Sequence, residues 1–185
     1  YRAIKQIEDI EVTPEIIERF CTKLRKEDQI KWFNHTGHIL DVLITNSFQS
    51  GYNDFTLITN HLENVHLQLR NPIPLDDVKD EKDILRVKVV GDLCRNSVAI
   101  GGNANIEIYN NEPLVCCFTE LSKSKIKING PAGNGCGEKA HKSKFTFNKR
   151  VESWGGVAAK NSTLIFKDYA GNHSAGWSVY CKVYM

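Results

Sequence analysis

The chain has 185 residues, of which 41% are hydrophobic and 25% are charged. This size and composition suit one globular domain with at most a small appended lobe, and they exclude two independent large cores. The 24 basic and 22 acidic side chains leave a formal net charge of +2, so no bulk field draws the protein towards nucleic acid or an anionic membrane.

The first element in the chain is a predicted amphipathic helix. Thr13, Pro14 and Glu15 supply an N-cap, a proline at the first helical position and an acid in the first turn. One apolar stripe then follows, formed by Ile16, Ile17, Phe20, Cys21 and Leu24. We expect the helix to run to about Arg25.

Two less regular segments follow this helix. Residues 30–64 are predicted to contain mixed short elements, among them one irregular coil, around the two-histidine turn His35-Thr36-Gly37-His38. Residues 70–84 contain two prolines and a dense run of charges, which is typical of a surface loop.

From there to the C-terminus the sequence repeats. From Val87/Val89 onwards, apolar pairs at i and i+2 recur at a step of nineteen or twenty positions. A further pair lies one such step before Val87/Val89, ahead of the charged loop. The pairs are Leu67/Leu69, Val87/Val89, Ile106/Ile108, Ile126/Ile128, Phe145/Phe147, Leu164/Phe166 and Val183/Met185. Each pair predicts one strand whose alternate side chains point inwards.

The rest of each repeat has matching positions. Six residues after the first member of each pair come Leu93, Ala132, Val151 and Ala170, while Glu112 interrupts the series. Small residues recur further on, and the strands are entered through Ala104, Ser124, Ser143, Ser162 and Cys181. Large residues on one side and small residues on the other two indicate a coil with one broad strand and tight corners.

These patterns predict a mainly β protein, a single-stranded right-handed parallel β-helix of about 19-residue coils with an N-terminal α-helical cap. A left-handed hexapeptide helix is disfavoured because 19 is not a multiple of six. We place an α/β cap region in residues 1–65 and the β-helix in residues 66–185. The predicted helix would cover the first coil, which would otherwise expose apolar columns and unpaired backbone groups.

One coil carries a glycine pattern of its own. Gly130, Gly133 and Gly137 stand at the first, fourth and eighth places of the segment 130–137, and residues 91–97 and 170–177 have a similar composition. Over residues 86–180 the chain resembles the Gly-x-x-Gly-x-x-x-Gly β-helix domain at the C-terminus of glutamate synthase large subunits, a domain that formylmethanofuran dehydrogenase shares. The resemblance implies a structural arm without catalytic residues.

The outward strand positions form the most regular surface. One set is Arg86, Asn105, Lys125, Lys144, Thr163 and Lys182, and the other is Lys88, Glu107, Lys127, Thr146, Ile165 and Tyr184. The cations Arg86, Lys88, Lys125, Lys127, Lys144 and Lys182 form a predicted ladder that could bind an acidic glycan or another polyanion. Lysines on an exposed sheet face also keep a solenoid soluble and discourage stacking, which is the simpler interpretation.

Catalytic chemistry has little support in the sequence. Glu107 is the one carboxylate in the outward sets, where a polysaccharide-cleaving enzyme would need several. Cys116 and Cys136 are predicted to stack near His141 and His173, but small inward residues at a corner explain that pattern better than a metal site does. An enzyme using His35, His38, His61 and His66 is the weakest interpretation, and we expect no metal, cofactor or catalytic residue.

The sequence therefore favours a structural or docking solenoid, either in an oxidoreductase assembly or in a viral particle, with the polyanion-binding module as the alternative. The last repeat ends after its strand, so either a protein partner or a second copy covers this end, or side chains fold over it or the sequence is part of a longer chain. The predicted contact residues are Trp177, Val179, Tyr180, Val183 and Met185.

The expected location is the cytoplasm, where a virus-encoded protein would also assemble. The sequence has no apolar run of membrane length, and its cysteines lack the spacing of disulfide or metal sites.

Overall fold

A computed structural model describes residues 12–23, 26–58, 73, 77–90, 105–115 and 117–185. Two helices, α1 (Pro14–Lys23) and α2 (Lys26–Gln49), are followed by seven strands and one 3₁₀ turn (Glu81–Asp83). The strands are β1 (Asp54–Ile58), β2 (Leu85–Val90), β3 (Asn105–Tyr109), β4 (Lys125–Ile128), β5 (Lys144–Phe147), β6 (Thr163–Phe166) and β7 (Lys182–Tyr184). All seven pair in chain order as one parallel sheet.

The predicted parallel β-solenoid is confirmed. Besides the sheet, each regular coil forms two further parallel ladders of single bridges on its other sides. One ladder joins Leu114, Ala132, Val151 and Ala170, and the other joins Ser122, His141, Lys160 and Val179. Backbone hydrogen bonds between successive coils therefore run along three sides of the solenoid, as expected when parallel coils stack.

The inward side chains form two apolar columns. One contains Leu85, Ile106, Ile126, Phe145 and Leu164, and the other contains Val87, Ile108, Ile128, Phe147 and Phe166. All of these side chains are buried. The predicted interior is thus correct from β3 to β6, whereas the last predicted pair, Val183/Met185, is exposed.

The predicted register of β2 is wrong. Val87 pairs with Ile108 rather than Ile106, because the coil between these two strands is longer than the regular step. The observed register buries Leu85, which the predicted one would have left outside the core. The neighbour of β2 on its other side is β1, in which Phe55 lies opposite Val87. The predicted neighbour of Val87/Val89, the pair Leu67/Leu69, is therefore not the one in the sheet, and it lies outside the described residues. β1 falls within the segment 1–65.

Leu114 fills the place in the corner ladder where Glu112 interrupts the sequence pattern. It pairs with Ala132 and is buried, whereas Glu112 is exposed. The chain between β3 and this corner is therefore longer than the corresponding segment of the later coils. Asn110 lies in this longer segment, and its side-chain amide donates to the carbonyl oxygens of Glu112 and Pro131.

The corners turn through left-handed residues that repeat every 19 positions. The four series are 135, 154 and 173; 118, 137, 156 and 175; 120, 139, 158 and 177; and 123, 142, 161 and 180. Only Gly135, Gly137 and Gly156 in these series are glycines. Many of these corners therefore hold side chains in a conformation that most residues avoid.

The predicted small residues at the strand entries form a buried ladder. Ser124, Ser143 and Ser162 are buried, and the backbone N–H of Ser124 donates to Ser143 Oγ at 3.0 Å. The N–H of Ser143 likewise donates to Ser162 Oγ at 3.1 Å. Each hydroxyl donates in turn to a backbone carbonyl, so these buried polar groups are satisfied.

Helix α1 agrees with its prediction, which ran to about Arg25, except that Ile16 of the predicted apolar stripe is exposed. Leu24 and Arg25 lie outside the described residues. The helix buries Ile17 and Cys21 and packs against β1, so it covers the first strand of the sheet.

The prediction of short mixed elements over residues 30–64 is wrong up to residue 49, because residues 26–49 form one helix that includes His35-Thr36-Gly37-His38. Its buried positions, Leu40, Leu43, Ile44 and Ser47, follow helical spacing. Beyond that helix, the short strand β1 joins the sheet as part of an irregular coil.

Two remaining expectations concern the charged loop and membrane spans. The part of the 70–84 segment that the structure describes is mostly exposed, and Asp80 and Asp83 form a capping box around the 3₁₀ turn. Among the described helices, none combines the length and the apolar character needed to cross a bilayer.

Candidate functional site

The outward side chains of the sheet form two columns that differ from the predicted ladder. One runs through Asp54, Arg86, Glu107, Lys127, Thr146, Ile165 and Tyr184, and the other through Asn105, Lys125, Lys144, Thr163 and Lys182. Arg86 was predicted to stand beside Asn105, but the longer coil places it opposite Glu107. Lys88 lies beside Thr56 and Tyr109.

Glu107 is the centre of a polar cluster on this face. Its side chain is only 12% exposed and accepts hydrogen bonds from Lys127 Nζ, from Tyr109 Oη at 2.8 Å and from Asn129 Nδ2 at 3.1 Å. Arg86 Nε lies 4.0 Å from the same carboxylate, and Arg86 Nη2 lies 2.7 Å from Glu81. Two of the six predicted ladder cations are therefore ion-paired.

The cluster determines the charge state of Glu107. Burial alone would raise the pKa of its carboxyl, but the hydrogen bonds from Lys127, Tyr109 and Asn129 outweigh this effect and hold the pKa below the ordinary value of 4.5. The same contact raises the pKa of Tyr109, because the phenol donates to the carboxylate. Glu107 is therefore a stabilising anion at neutral pH, poorly suited to donating a proton.

We expect Glu107→Gln to lower the free energy of unfolding at pH 7 by about 1–2 kcal/mol, through the loss of charge-assisted hydrogen bonds. Because the folded pKa is depressed, this stabilisation is complete above the ordinary pKa of 4.5 and is lost as the pH falls through the folded value. Urea unfolding of both proteins from pH 7 to about pH 3 should show the difference shrinking towards acid.

The control for this experiment is Glu120→Gln. Glu120 is 58% exposed and faces Lys139 at 3.5 Å, so its replacement should have little effect at any pH. A Glu107 variant as stable as the parent at pH 7, or a difference that persists unchanged at acid pH, would contradict the role assigned to the cluster.

The remaining predicted cations are less regular than a continuous ladder. Lys125 and Lys144 are neighbours in one column, Thr163 follows, and Lys182 comes next. Asn105, which precedes Lys125, is buried and donates to the carbonyl oxygen of Ile73. The polyanion interpretation then rests on Lys88, Lys125, Lys144 and Lys182.

The cysteine column differs from its prediction in one member. The N–H of Gly137 donates to the carbonyl oxygen of Cys117, as the N–H of Gly156 does to that of Cys136. Cys117 rather than Cys116 therefore precedes Cys136, and Cys116 lies outside the described residues. Both thiols are buried and donate to backbone carbonyls, Cys117 to Val115 and Cys136 to Leu114.

Cys21, on helix α1, is also buried. Burial raises the pKa of its thiol to about 11, which makes it a poor nucleophile at neutral pH.

The histidines do not assemble into a catalytic group in the described part of the chain. His38 is exposed on α2, His141 is part of a corner ladder, and His173 stacks on Trp154. His61 and His66 lie outside the described residues. Where side chains are described, no three histidine, cysteine or acidic groups come close enough together to hold a metal ion.

The last coil exposes its apolar residues. Val183 occupies the same inward column as Leu164, yet it is 38% exposed whereas Leu164 is fully buried. The side chains of Tyr169, Val179, Tyr180, Tyr184 and Met185 are also exposed. Four of the five predicted contact residues are therefore exposed on this coil. We call its exposed apolar and aromatic residues the terminal rung: Val179, Tyr180, Val183, Tyr184 and Met185.

The fifth predicted contact residue, Trp177, faces a different surface. Its indole contacts that of Trp154 in the coil below, with ring centroids 5.6 Å apart and planes tilted by 52°. The two rings form one wall of a pocket of about 390 Å³ that spans three coils on the corner side of the solenoid. Asn134, Gly135, Glu138, Lys139, Val157 and Ala158 complete its lining. We call this the corner pocket.

Sequence reasoning did not find the corner pocket. Trp154 and Trp177 both stand in the left-handed series of the corners, but those series also hold many other side chains, so their positions alone gave no signal.

Comparison of the chain with protein-family models, curated proteins and solved structures found no match. The resemblance to the glutamate synthase coil thus rests on the glycine pattern alone.

Proposed function

We propose that this chain is a non-catalytic docking module whose terminal rung binds another protein surface. The observation that supports it is the exposure of Val183, which continues the inward column of Leu164, whose other described members are all buried. Large apolar side chains whose exposure is concentrated on one coil are typical of an interaction site. The depressed pKa of Glu107 and the raised pKa of Cys21 leave both groups poor candidates for proton transfer or nucleophilic attack near neutral pH.

The backbone of the terminal rung favours the same role. Lys182 N–H donates to the carbonyl oxygen of Ser162 on the coil below, and parallel strands alternate the direction of successive peptide groups. The N–H and C=O of Val183 consequently point away from β6. A strand edge of this kind readily pairs with another chain.

We propose a second copy of the chain as the occupant. At the other end of the sheet, α1 packs against β1, so a head-to-tail stack would have to displace that helix. Two terminal rungs that meet through a two-fold axis require no such displacement. This symmetric contact gives a closed dimer, whereas head-to-tail contacts would give a filament. The described cysteines form no disulfide, and this, together with their buried column, fits assembly in the cytoplasm.

Light scattering of the 185-residue chain tests this proposal. At micromolar concentration we expect a mass of twice the 20.9 kDa of one chain. Val183→Lys should return the mass to that of a monomer, because a charge would be buried at the centre of the contact. Thr163→Lys, on the outward face of β6, is the control and should remain a dimer.

A monomeric parent whose mass and solubility are unchanged by Val183→Lys would overturn the proposal. A heterogeneous series of larger species would contradict its closed geometry, since it would show that α1 does not prevent head-to-tail association.

A further inference from the structure

Besides the terminal rung, the corner pocket has the form of a small-molecule site. Its volume of about 390 Å³ lies within the range of known ligand sites, and its lining includes Gly135, Val157 and Ala158. Trp154 and Trp177 form the wall, and the polar side chains of Asn134, Glu138 and Lys139 form the rim. An apolar lining with a few convergent polar groups is the usual composition of such a site.

Both tryptophans occupy left-handed corner positions of the coil. Trp154 has φ 60° and Trp177 has φ 54°, while the residue equivalent to Trp154 one coil earlier is Gly135. A bulky side chain in the left-handed region costs on the order of 1 kcal/mol. Because Trp177 is 77% exposed, burial in the core does not offset this cost.

The arrangement of the rings shows which face is available. His173 stacks on Trp154 with ring centroids 4.6 Å apart, so this contact occupies part of the surface of Trp154. Trp177 packs against the same indole, and most of its own surface remains open. Trp177 is therefore the platform on which a flat apolar ligand face can stack.

The charges of the rim select the kind of ligand. Lys139 Nζ lies 3.6 Å from Glu138 and 3.5 Å from Glu120, so one cation faces two anions. Glu120 lies outside the lining, so the rim itself carries one anion and one cation, and a phosphate, a sulfate or an acidic glycan would have to compete with two carboxylates for Lys139. The indoles touch each other rather than bracketing a gap, and Lys139 stands on the rim, so the pocket is not a cage for an ammonium group.

We infer that the corner pocket binds a neutral saccharide. One face of a pyranose ring carries C–H groups that can stack on Trp177, and its hydroxyls can both donate and accept. The rim offers an amide at Asn134, a carboxylate at Glu138 and an ammonium at Lys139, which together supply donors and acceptors for such hydroxyls. The corner pocket is separate from the terminal rung, so this inference does not depend on the docking proposal.

Intrinsic tryptophan fluorescence tests the inference with named probes. The chain contains three tryptophans, and two of them line the pocket. The probes are the neutral hexasaccharides of cellulose, mannan, xylan, starch and chitin, together with a heparin hexasaccharide, oligothymidylate and an Arg-Lys peptide. We expect a saturable change with at least one neutral hexasaccharide, insensitive to added NaCl, and none with the charged probes.

Variants locate the binding. Trp177→Ala should weaken the association by about tenfold or more through the loss of stacking, and Trp177→Tyr should restore most of it. Asn134→Ala, an exposed change on the rim, should weaken it as well. Tyr180→Ser is the matched control, because Tyr180 is equally exposed with φ 55° but does not line the pocket. Val183→Lys should bind the saccharide like the parent, whatever its oligomeric state.

Saturation by none of the neutral hexasaccharides would overturn the inference. So would binding confined to heparin, oligothymidylate or the Arg-Lys peptide, or binding that Trp177→Ala leaves unchanged while circular dichroism shows the variant to be folded.

Discussion

Phe147→Asp is expected to unfold the solenoid. Phe147 is 1% exposed, it lies between Ile128 and Phe166 in its column, and its ring stacks on that of Phe166 with centroids 5.0 Å apart. Removing the ring alone costs about 3–5 kcal/mol, and an unpaired carboxylate in a dry column adds to that loss. The total is comparable to the whole stability of a small domain.

The adjacent residue supplies the control. Thr146 points outwards between Lys127 and Ile165, so Thr146→Asp places its charge at the surface beside a cation. We expect its thermal midpoint to stay within a few degrees of the parent, whereas the Phe147 variant should show no cooperative transition. Equal midpoints for the two variants would mean that the inward and outward faces have been assigned the wrong way round.

Gly130→Ala should be nearly as damaging, for a different reason. A Cβ at this position would lie 1.9 Å from the backbone oxygen of Asn110 and 2.5 Å from its side chain. Gly130 is buried where its coil approaches the coil of Asn110, so an added methyl group would force these two coils apart. We expect a loss of more than about 3 kcal/mol in urea unfolding, at the upper end of the range for single substitutions.

Lys142→Gly is the matched change in the opposite direction. Lys142 is exposed with φ 48°, and glycine adopts this conformation without strain. Its replacement should leave stability unchanged or raise it slightly. If Gly130→Ala were tolerated as well as Lys142→Gly, the close approach of Asn110 to Gly130 would not exist in solution.

The sequence was informative where the coils are regular. The inward pairs from Ile106/Ile108 to Leu164/Phe166, the buried serines at the strand entries and the helix beginning at Pro14 were all predicted correctly. Period-2 alternation and a fixed coil length act together there, so each repeat reinforces the register of the next.

The errors occur where the coil length changes. A fixed step of nineteen or twenty positions cannot register β2 against β3, because Val87 and its partner Ile108 are further apart in the chain than that. Nor can it anticipate that Leu114 replaces Glu112 at the corner. The position of Arg86 beside Glu107 is a consequence of the first of these changes. Side-chain periodicity alone does not reveal a local insertion; the burial of Leu85 and the ion pair with Glu107 select the register.

The long helix and the corner pocket were missed for other reasons. The buried stripe of α2 at Leu40, Leu43, Ile44 and Ser47 ends in a polar residue and follows Gly37, which hid its helical spacing. The corner pocket joins residues from three coils, and Trp154 and Trp177 are not separated by a multiple of 19. Their contact depends on where each corner turns, which is a property of the folded backbone.

The docking role of the terminal rung is tested most directly by amide hydrogen exchange in residues 178–185 at two concentrations of the 185-residue chain. At high concentration the Val183 amide, which points away from β6, should become protected, and Val183→Lys should abolish the change. The amides of β4 should exchange alike at both concentrations. Exchange of the Val183 amide that is rapid and independent of concentration would contradict the proposed contact.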